Sequence, residues 1–323
     1  MTDTDLLLRV EGLRKEYAAP GRGRTFRAVD DVSFDVARGE TVALVGESGC
    51  GKSTTGLSVL RLVEPTAGRV LLGGDDIRTM SAAELRRQRA RMQMVMQNPR
   101  SQLDPRMAIR QSIAEPLRSI GGRGRSEIAR RVEECLDLVG LPSAMADRYP
   151  HQLSGGQRQR VGIARAIATE PDLIVLDEAV SALDVSVQVQ VMNLLHDLQE
   201  RLGIAYLFIS HSMSAVRYLS DRVVVMYMGR TVESAPATEF FAAQAHPYSQ
   251  ALLSAVPSPT IGDRRERIVL SGDVPSPFAR PSGCVFRTRC PRAEARCAEE
   301  VPVPRDIAPG RVVSCHFPTI PVR

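Results

Sequence analysis

The chain has 323 residues, enough for one large α/β domain and an appendage. Its content of 43% hydrophobic and 24% charged residues is typical of a globular protein with a real core. No run reaches the roughly 18 apolar residues of a membrane-spanning helix. The net charge of +5 is spread along the chain, so there is no basic block of the kind that binds nucleic acid.

The N-terminus has no basic segment before an apolar run, so no signal peptide is predicted. The protein is therefore expected in the cytosol, with any role at a membrane exercised through partners. Only Lys15 and Lys52 are lysines, and arginine supplies the remaining basic side chains. A retained lysine suggests a site that needs a compact ammonium group.

The N-terminal half begins with a segment typical of strands from Leu6 onward, which the Gly/Arg-rich loop Ala18–Arg24 interrupts. Thr41–Val45 is a short apolar, β-branched run of the kind found in buried parallel strands. From about Ser81 to Leu141 the pattern is helical, and Cys135 shares the apolar face, so we predict that it is a core residue.

The second half continues with two buried strands, Leu173–Leu176 and Ala205–Ile209, each preceded by a helical stretch. This alternation predicts an α/β fold with a parallel sheet. After about Val256 prolines become frequent and indicate a linker followed by a loop-rich tail; they include Pro257, Pro259, Pro275, Pro277 and Pro281.

A glycine-rich turn follows the strand Thr41–Val45. It reads Gly46-Glu47-Ser48-Gly49-Cys50-Gly51-Lys52-Ser53, with Thr54 next, and fits the phosphate-loop pattern G-x-x-x-x-G-K-S. The glycines let successive backbone N–H groups point at a phosphate, and the following helix adds its positive N-terminus. We therefore predict that Lys52 contacts the β- and γ-phosphates of a bound nucleotide and that Ser53 binds Mg²⁺.

Two carboxylates, Asp177 and Glu178, follow the apolar strand Leu173–Leu176. Open α/β sheets bind ligands at the carboxyl ends of their strands. Asp177 is predicted to hold Mg²⁺, directly or through water, and Glu178 to polarise the attacking water as a general base.

A third motif, Leu153-Ser154-Gly155-Gly156-Gln157, precedes the helical run Arg158–Ile167. Ser154 and Gln157 fit a capping box, and on that interpretation the segment only begins a helix. Two glycines in the first turn lower helix propensity, however. They are explained if a phosphate approaches the backbone at this helix N-terminus.

The order and spacing of these three motifs resemble the nucleotide-binding domain of an ABC transporter. In that family Ser154–Gln157 would close over the γ-phosphate of ATP held by a partner subunit. The resemblance implies four further roles: adenine stacking for Tyr17, contact with Mg²⁺, water and the membrane subunits for Gln97, the dimer-interface D-loop for Asp184, and γ-phosphate contact for His211. A plain strand-end tyrosine and a structural histidine are the other interpretations of Tyr17 and His211.

Two residues depart from the family pattern. Ala179 stands where proline is usual, and Ser212 stands where aspartate is usual. Both lie beside catalytic residues and leave the catalytic groups intact, so we still predict hydrolysis. A non-catalytic regulatory subunit is the interpretation that these departures would favour.

The C-terminal part resembles the ATPases of peptide and nickel importers. The residues that carry this resemblance are His246–Leu253 and the segment Asn98-Pro99…Leu103-Asp104-Pro105-Arg106-Met107. It implies a di- or oligopeptide importer at the cytoplasmic face of the membrane, with two permeases, a second and different ATPase subunit, and an extracytoplasmic binding protein as partners. Import of nickel or another small solute and a non-transport ABC ATPase are the alternatives.

Four cysteines crowd the tail: Cys284, Cys290, Cys297 and Cys315. Their spacing is neither that of zinc fingers nor that of ferredoxins. Because some members of the family carry a [4Fe–4S] cluster in this extension, the resemblance implies such a cluster. Zinc and unligated thiols are the alternatives.

The expected architecture is therefore a P-loop ABC nucleotide-binding domain over residues 1–255, with a helical subdomain at about 98–165. A Pro-rich, loop-rich extension with the four cysteines occupies residues 256–323. ATP and Mg²⁺ are the expected cofactors, and two ATPase subunits are expected to sandwich two ATP molecules.

Overall fold

The computed structural model describes residues 6–18, 25–97, 102–255 and 268–320. Four sequence expectations lie outside these residues, namely the loop residues 19–24, the pair Asn98-Pro99, the linker prolines Pro257 and Pro259, and the domain boundary at 256. The chain divides into two compact units. The first comprises Met1–Arg9, Asp35–Thr41 and Leu71–Ile209, and the second comprises Val10–Phe34, Val42–Val70 and Ser210–Arg323.

Strands are distributed along the whole described chain. They are β1 (Leu6–Ala18), β2 (Thr25–Ala37), β3 (Thr41–Val45), β4 (Ala67–Leu72), β5 (Asp75–Asp76), β6 (Met92–Val95), β7 (Leu173–Asp177), β8 (Ala205–Ile209), β9 (Arg222–Tyr227), β10 (Arg230–Pro236), β11 (Arg305–Ala308) and β12 (Arg311–Val313).

Helices occupy most of the segments between the later strands. They are α1 (Lys52–Val59), α2 (Ala82–Gln88), α3 (Ile109–Ile120), α4 (Arg125–Leu138), α5 (Gly155–Ile167), α6 (Val185–Leu202), α7 (Met213–Leu219), α8 (Ala237–Ala242), α9 (Pro247–Ser254) and α10 (Ala295–Glu299). Short 3₁₀ turns lie at Ser143–Met145 and Pro150–Gln152.

The first unit contains a parallel arrangement of β6, β7 and β8. In its register Val95 pairs with Leu176, and Asp177 pairs with Ile209. The apolar residues of β7 and all of β8 are buried, as expected for strands covered on both faces. The two parallel strands predicted at Leu173–Leu176 and Ala205–Ile209 are thereby confirmed.

The stretch Ser81–Leu141 is not helical throughout, which corrects the sequence expectation. The strand β6 (Met92–Val95) interrupts it between α2 and α3 and pairs in parallel with β7. Met92 and Val95 are its buried residues. Methionine and glutamine favour helices in isolation, so here sheet pairing in the tertiary structure overrides local propensity.

Helices α3, α4 and α5 of the first unit contact one another. The apolar face of α4 is buried, with Ile128, Val132 and Leu136 facing inward. Cys135 lies on that face with no exposed surface, which confirms that it is a core residue.

The second unit is built around β9. The strand β3 pairs with it in parallel, and β10 pairs with it antiparallel. The tail then adds two strands, because β12 pairs with β10 and β11 pairs with β12. The C-terminal tail is therefore loop-rich only in part, since its last section completes a sheet edge.

Of the residues that the structure describes, none belongs to a helix long and apolar enough to cross a membrane.

Candidate nucleotide-binding site

The backbone of the phosphate loop requires glycine at two positions in the second unit. Gly46 has φ of +151°, and a Cβ there would lie 2.2 Å from the carbonyl oxygen of Met226. Gly51 has φ of +103°, and a Cβ there would lie 2.2 Å from the carbonyl oxygen of Ala28. Any larger residue would collide with backbone, so the loop can take this shape only with glycine.

Lys52 begins α1 and is buried, with 5% of its surface exposed. Its Nζ donates hydrogen bonds to the carbonyl oxygens of Gly46 at 2.8 Å and Glu47 at 2.9 Å. The ammonium thus sits inside the curl of the loop, where a phosphate-binding lysine is needed. Burial raises the pKa of Cys50, whose Sγ lies 3.8 Å from Lys52 Nζ, so this thiol stays neutral at physiological pH.

The remaining phosphate-loop residues are more accessible. Ser48, Gly49 and Ser53 are exposed, and Thr54 is half-buried. A hydroxyl at Ser53 is the type of oxygen ligand that Mg²⁺ accepts. The loop therefore combines a glycine-dependent curl, an enclosed ammonium group and an accessible hydroxyl group. These three features suit the binding of a nucleoside triphosphate and its metal ion.

In the first unit, Glu178 has an unusual backbone and a short side-chain contact. Its φ is +48°, a left-handed conformation that L-residues rarely adopt. Its Oε2 accepts hydrogen bonds from Gln97 Nε2 at 2.6 Å and from Ser181 Oγ at 3.3 Å. Strain of this kind tends to be retained at functional sites. Asp177 precedes it as the last residue of β7.

The Ser154–Gln157 segment forms a real capping box. Ser154 Oγ accepts from the Gln157 backbone N–H at 3.2 Å, and Gln157 Oε1 accepts from the Ser154 N–H at 3.0 Å. Gly156 also has a packing role, because a Cβ there would lie 2.6 Å from Val187 Cγ1 on α6. At Gly155 the nearest atom would be Leu183 Cδ2 at 3.7 Å, an ordinary contact.

Asp184 caps α6 in the first unit. Its Oδ1 accepts from the Val187 N–H at 3.0 Å, and this bond, followed by that from Ser186, lowers the pKa of the carboxyl group. Asp184 thus has a structural role besides any at a subunit interface.

Ser212 caps α7 in the second unit. Its Oγ accepts from the Ala215 N–H at 3.4 Å. Serine and aspartate are both good N-cap residues, so Ser212 preserves the helix start. His211 precedes it and is exposed.

Tyr17 is the penultimate residue of β1 and belongs to an aromatic group of the second unit. Its ring stacks on Phe26 with centroids 5.6 Å apart, and Lys15 Nζ lies 5.0 Å from its centroid. Phe278 of the tail contacts Phe26 edge-on at 5.1 Å. Both lysines of the chain thus lie beside predicted nucleotide-binding residues.

The four tail cysteines belong to the second unit, and all are free thiols. Burial, with a smaller effect from the other three thiols, raises the pKa of Cys315 to about 11. Across the described ranges, however, no group of three or more His, Cys, Asp or Glu side chains is arranged to hold a metal ion. The thiols suit a soft metal in kind but do not form a finished ligand set.

Two contacts to the phosphate loop were not predicted from the sequence. Arg289 of the tail forms a two-point ion pair with Glu47, and Tyr248 Oη accepts a hydrogen bond from the Glu47 N–H at 2.8 Å. Tyr248 belongs to the segment His246–Leu253, which carries the resemblance to peptide and nickel importers, but that resemblance did not predict its contact with Glu47. Nothing in the sequence around Arg289 distinguishes it from the many other arginines.

The predicted site residues thus form groups within each unit. The first unit contains Gln97, Asp177, Glu178, Ser154–Gln157 and Asp184, and it brings Gln97 and Glu178 together. The second unit contains Tyr17, the phosphate loop, His211 and the four tail cysteines.

Comparison with known proteins identifies both parts of the chain. Residues 29–181 match the family model of ABC transporters, and residues 232–297 match the C-terminal region of oligopeptide/dipeptide transporters. The chain is 54% identical over 315 residues to a Brucella ovis protein named "Putative peptide import ATP-binding protein", with 98% of each chain covered. It is 50% identical to the oligopeptide transport ATP-binding protein AppF of Bacillus subtilis, covering 90% of this chain and 89% of that protein.

A solved structure gives the same answer for the fold. The dimeric post-hydrolysis structure of the ATP-binding cassette MJ0796 bound to ADP and phosphate matches with a TM-score of 0.65 and 29% identity, covering 72% of this chain and 99% of that one. The expected α/β ABC nucleotide-binding fold is confirmed. The chain therefore belongs to the ATP-binding subunits of ABC transporters, in the oligopeptide/dipeptide branch, and is an ATPase of that family.

Proposed function

We propose that the chain hydrolyses ATP to power the import of di- and oligopeptides across the cytoplasmic membrane. The assignment of peptides as the transported cargo rests on the match of residues 232–297 to the C-terminal region of oligopeptide/dipeptide transporters. The names of the relatives, a peptide import and an oligopeptide transport protein, support the same cargo.

A growth experiment tests the cargo. A host strain that lacks this subunit and requires one amino acid receives either the unchanged chain or a Glu178→Gln variant, with di- to pentapeptides as its only source of that amino acid. We expect growth and uptake of labelled peptide with the unchanged chain alone. Normal peptide uptake in the deletion strain, with nickel or another solute lost instead, would contradict the peptide assignment.

The proposed catalytic roles rest on the residue types of the phosphate loop, Asp177 and Glu178, and on the resemblance to ABC nucleotide-binding domains for Gln97, His211 and Tyr17. Lys52 and the loop Gly46–Thr54 bind the phosphates, and Ser53, Asp177 and Gln97 are the residues that would hold Mg²⁺ through oxygen atoms, where the ion would neutralise phosphate charge. Glu178 orients and deprotonates the attacking water, and the hydrogen bond from Gln97 holds its carboxylate in position. His211 contacts the γ-phosphate, and Tyr17 stacks on the adenine.

Each hydrolytic site is completed by a second ATPase subunit. Ser154–Gln157 present a capped helix start, which suits the γ-phosphate bound by the partner. We propose that Asp184 lies at the interface with that partner. A single chain therefore binds ATP but hydrolyses it slowly. When the two ATPase subunits close around ATP, the movement is transmitted to the permeases through the region around Gln97.

The proposed assembly contains this chain, a different ATPase subunit, two permeases and an extracytoplasmic binding protein, with this chain at the cytoplasmic face of the membrane. Affinity purification from the native membrane tests it. Recovery of two permeases and a second ATPase supports the assembly, whereas recovery of ribosomal or DNA-repair proteins favours a non-transport ABC ATPase. We further propose the boundary between the ATPase domain and the extension at about residue 255, with a helical subdomain at about 98–165.

For the tail, we propose a [4Fe–4S] cluster bound by Cys284, Cys290, Cys297 and Cys315, with a structural role. The support is the number of free thiols in one short segment and the contribution of the other three thiols to the raised pKa of Cys315. The described arrangement is not closed around a metal, so ligation requires side-chain rearrangement.

Iron and sulfide analysis of anaerobically purified protein tests this. We expect loss of both in Cys290→Ser and retention in Cys135→Ala, a control for a core cysteine. Zinc in place of iron, or equal iron in all three proteins, excludes the cluster.

A further inference from the structure

The tail holds the phosphate loop through one carboxylate. Arg289 Nη1 donates to Glu47 Oε2 at 2.7 Å, and Arg289 Nη2 donates to Oε1 at 3.1 Å. This two-point geometry is the stronger form of an arginine–carboxylate pair. Only 9% of the Arg289 side chain and 29% of the Glu47 side chain are exposed, so solvent screens the pair weakly.

The backbone of the same residue is also held. The Glu47 N–H donates to Tyr248 Oη at 2.8 Å, and Tyr248 is fully buried. Tyr248 packs against Tyr227 and against Phe286 of the tail, with ring centroids 4.7 and 5.4 Å apart. Both the side chain and the backbone of Glu47 therefore depend on groups that the tail supplies or buries.

The tail makes a second set of contacts near Tyr17. Arg280 Nη1 donates to Asp30 Oδ2 at 2.5 Å, and the Asp30 carboxylate is 1% exposed. Phe278 packs on Phe26, which stacks on Tyr17. Residues 278–289 thus contact structure beside the predicted adenine residue at one end and the phosphate loop at the other.

The segment that carries Arg289 is itself anchored. The Cys284 N–H donates to the Cys297 carbonyl oxygen at 2.8 Å, and the Arg289 N–H donates to that of Phe286 at 3.0 Å. Phe286 has no exposed surface. Because its backbone is already fixed by the packed turn, Arg289 loses only side-chain freedom when it forms its ion pair, and its planar guanidinium makes both hydrogen bonds at once, so it can hold a loop in one conformation.

From these contacts we propose that Arg289 is a positioning residue of the nucleotide site, which fixes the phosphate loop through Glu47 so that the folded tail sets the affinity for ATP. Without Arg289, the Glu47 carboxylate would lose the guanidinium with which it forms an ion pair, within the loop that is proposed to bind the ATP phosphates. The inference rests on the proposed binding of ATP by the Lys52 loop.

The test measures equilibrium binding of the fluorescent nucleotide MANT-ATP to the full chain. Binding by the unchanged protein tests the proposed nucleotide site, and only the variants test the inference. We expect Arg289→Ala to weaken binding about tenfold, because losing one charge-assisted pair typically has an effect of this size. Arg289→Lys should recover part of the loss, since a lysine supplies the charge but not the two-point geometry.

A double-mutant cycle shows whether Arg289 acts through Glu47. If it does, Arg289→Ala should have little additional effect in a Glu47→Gln background, where no carboxylate needs a partner. The matched control is Arg296→Ala, which removes an exposed tail arginine that pairs with Glu300 at 2.8 Å. In the assembled transporter, the KM for ATP should rise with Arg289→Ala while kcat stays within about twofold.

Three results would overturn the proposal. They are unchanged MANT-ATP affinity in Arg289→Ala, an equal loss in Arg296→Ala, and a full additional loss when Arg289→Ala is combined with Glu47→Gln. Should Arg289→Ala fail to fold, the comparison of Arg289→Lys with the unchanged protein decides, because unchanged affinity there also contradicts a role for the two-point contact.

Discussion

Gln97 Nε2 donates a hydrogen bond to Glu178 Oε2 at 2.6 Å, and so joins the segment after β6 to the residue after β7. These two strands are parallel neighbours, and their carboxyl ends therefore meet at one edge. Glu178 reaches this contact with a φ of +48°. The glutamine thus restrains the carboxylate that the proposed mechanism uses as its base.

Replacing Glu178 by glutamine should abolish turnover without abolishing binding. Gln keeps the size of the side chain but cannot accept a proton, and loss of a general base typically lowers rates by about 100-fold or more. Phosphate release by the assembled transporter measures the effect, and MANT-ATP binding should stay within about threefold. Glu133→Gln, at an exposed position on α4, is the control. Hydrolysis at the rate of the unchanged protein would contradict the base assignment.

The Lys52→Arg substitution should weaken nucleotide binding, although arginine takes the place of lysine almost everywhere else in the chain. Lys52 Nζ fits between the carbonyl oxygens of Gly46 and Glu47, 2.8 and 2.9 Å away. A planar guanidinium is larger and cannot occupy that buried position as a point charge. We expect MANT-ATP affinity to fall by about tenfold or more with an unchanged far-UV spectrum. Affinity equal to that of the unchanged protein would show that charge alone suffices.

The buried strands and the phosphate loop could be predicted because their signals are local. Thr41–Val45 and Ala205–Ile209 are short, apolar and rich in strand-forming residues, and the structure contains both strands with these bounds. The glycine pattern before Lys52 predicts a tightly curled backbone, and the structure has glycine at the positions where a Cβ would collide with backbone. In these segments local preference and tertiary structure agree.

The strand β6 and the tail contacts could not be predicted, because they depend on partners distant in sequence. Met92–Val95 becomes a strand only through pairing with β7, 81 residues further along when counted from Met92 to Leu173. Arg289 reaches Glu47 across a separation of 242 residues. The periodicity of apolar residues indicates which face of one helix or strand is buried, but it does not indicate which distant residue that element will contact.

The stability of the protein should fall on mild acidification because of His246. Its ring is buried, and burial lowers the pKa of His246 from 6.5 to about 3. The folded protein therefore keeps it neutral between pH 6.5 and 3, while the unfolded chain takes up a proton. Unfolding is then favoured as pH falls, by about 1.4 kcal/mol in total between pH 7.5 and 5.5, and the slope approaches about 1.4 kcal/mol per pH unit only well below pH 6.5. Urea unfolding between pH 7.5 and 5.5 measures the slope.

His246→Asn is the matched variant for this titration. His246 Nδ1 accepts from the Tyr248 N–H at 3.0 Å and caps α9, and asparagine can also serve as an N-cap. Burial raises the pKa of neighbouring Glu233, which acts in the opposite direction by favouring unfolding as pH rises above 4.5. Because both proteins retain Glu233, the difference between their curves isolates the histidine. Parallel curves for the two proteins would contradict the assignment.

The two glycines of Ser154–Gln157 should behave differently when each is changed to alanine. At Gly156 a Cβ would lie 2.6 Å from Val187 Cγ1, and overpacking of this kind typically costs about 1–3 kcal/mol. At Gly155 the nearest atom would be 3.7 Å away, and alanine favours helices, so the fold should tolerate that change. Urea unfolding of the single chain measures both effects in the absence of a partner subunit.

A second substitution separates packing from phosphate binding at Gly156. Val187→Ala removes the methyl group that the new Cβ would meet, so the variant that combines Gly156→Ala with Val187→Ala should recover most of the lost stability. If the glycine also lets a phosphate approach the helix start, hydrolysis by the assembled transporter should remain impaired in this repacked variant. Recovery of stability together with full hydrolysis would show that Gly156 is needed only to pack α5 against α6. No recovery of stability would show that the cost lies elsewhere than in the contact with Val187.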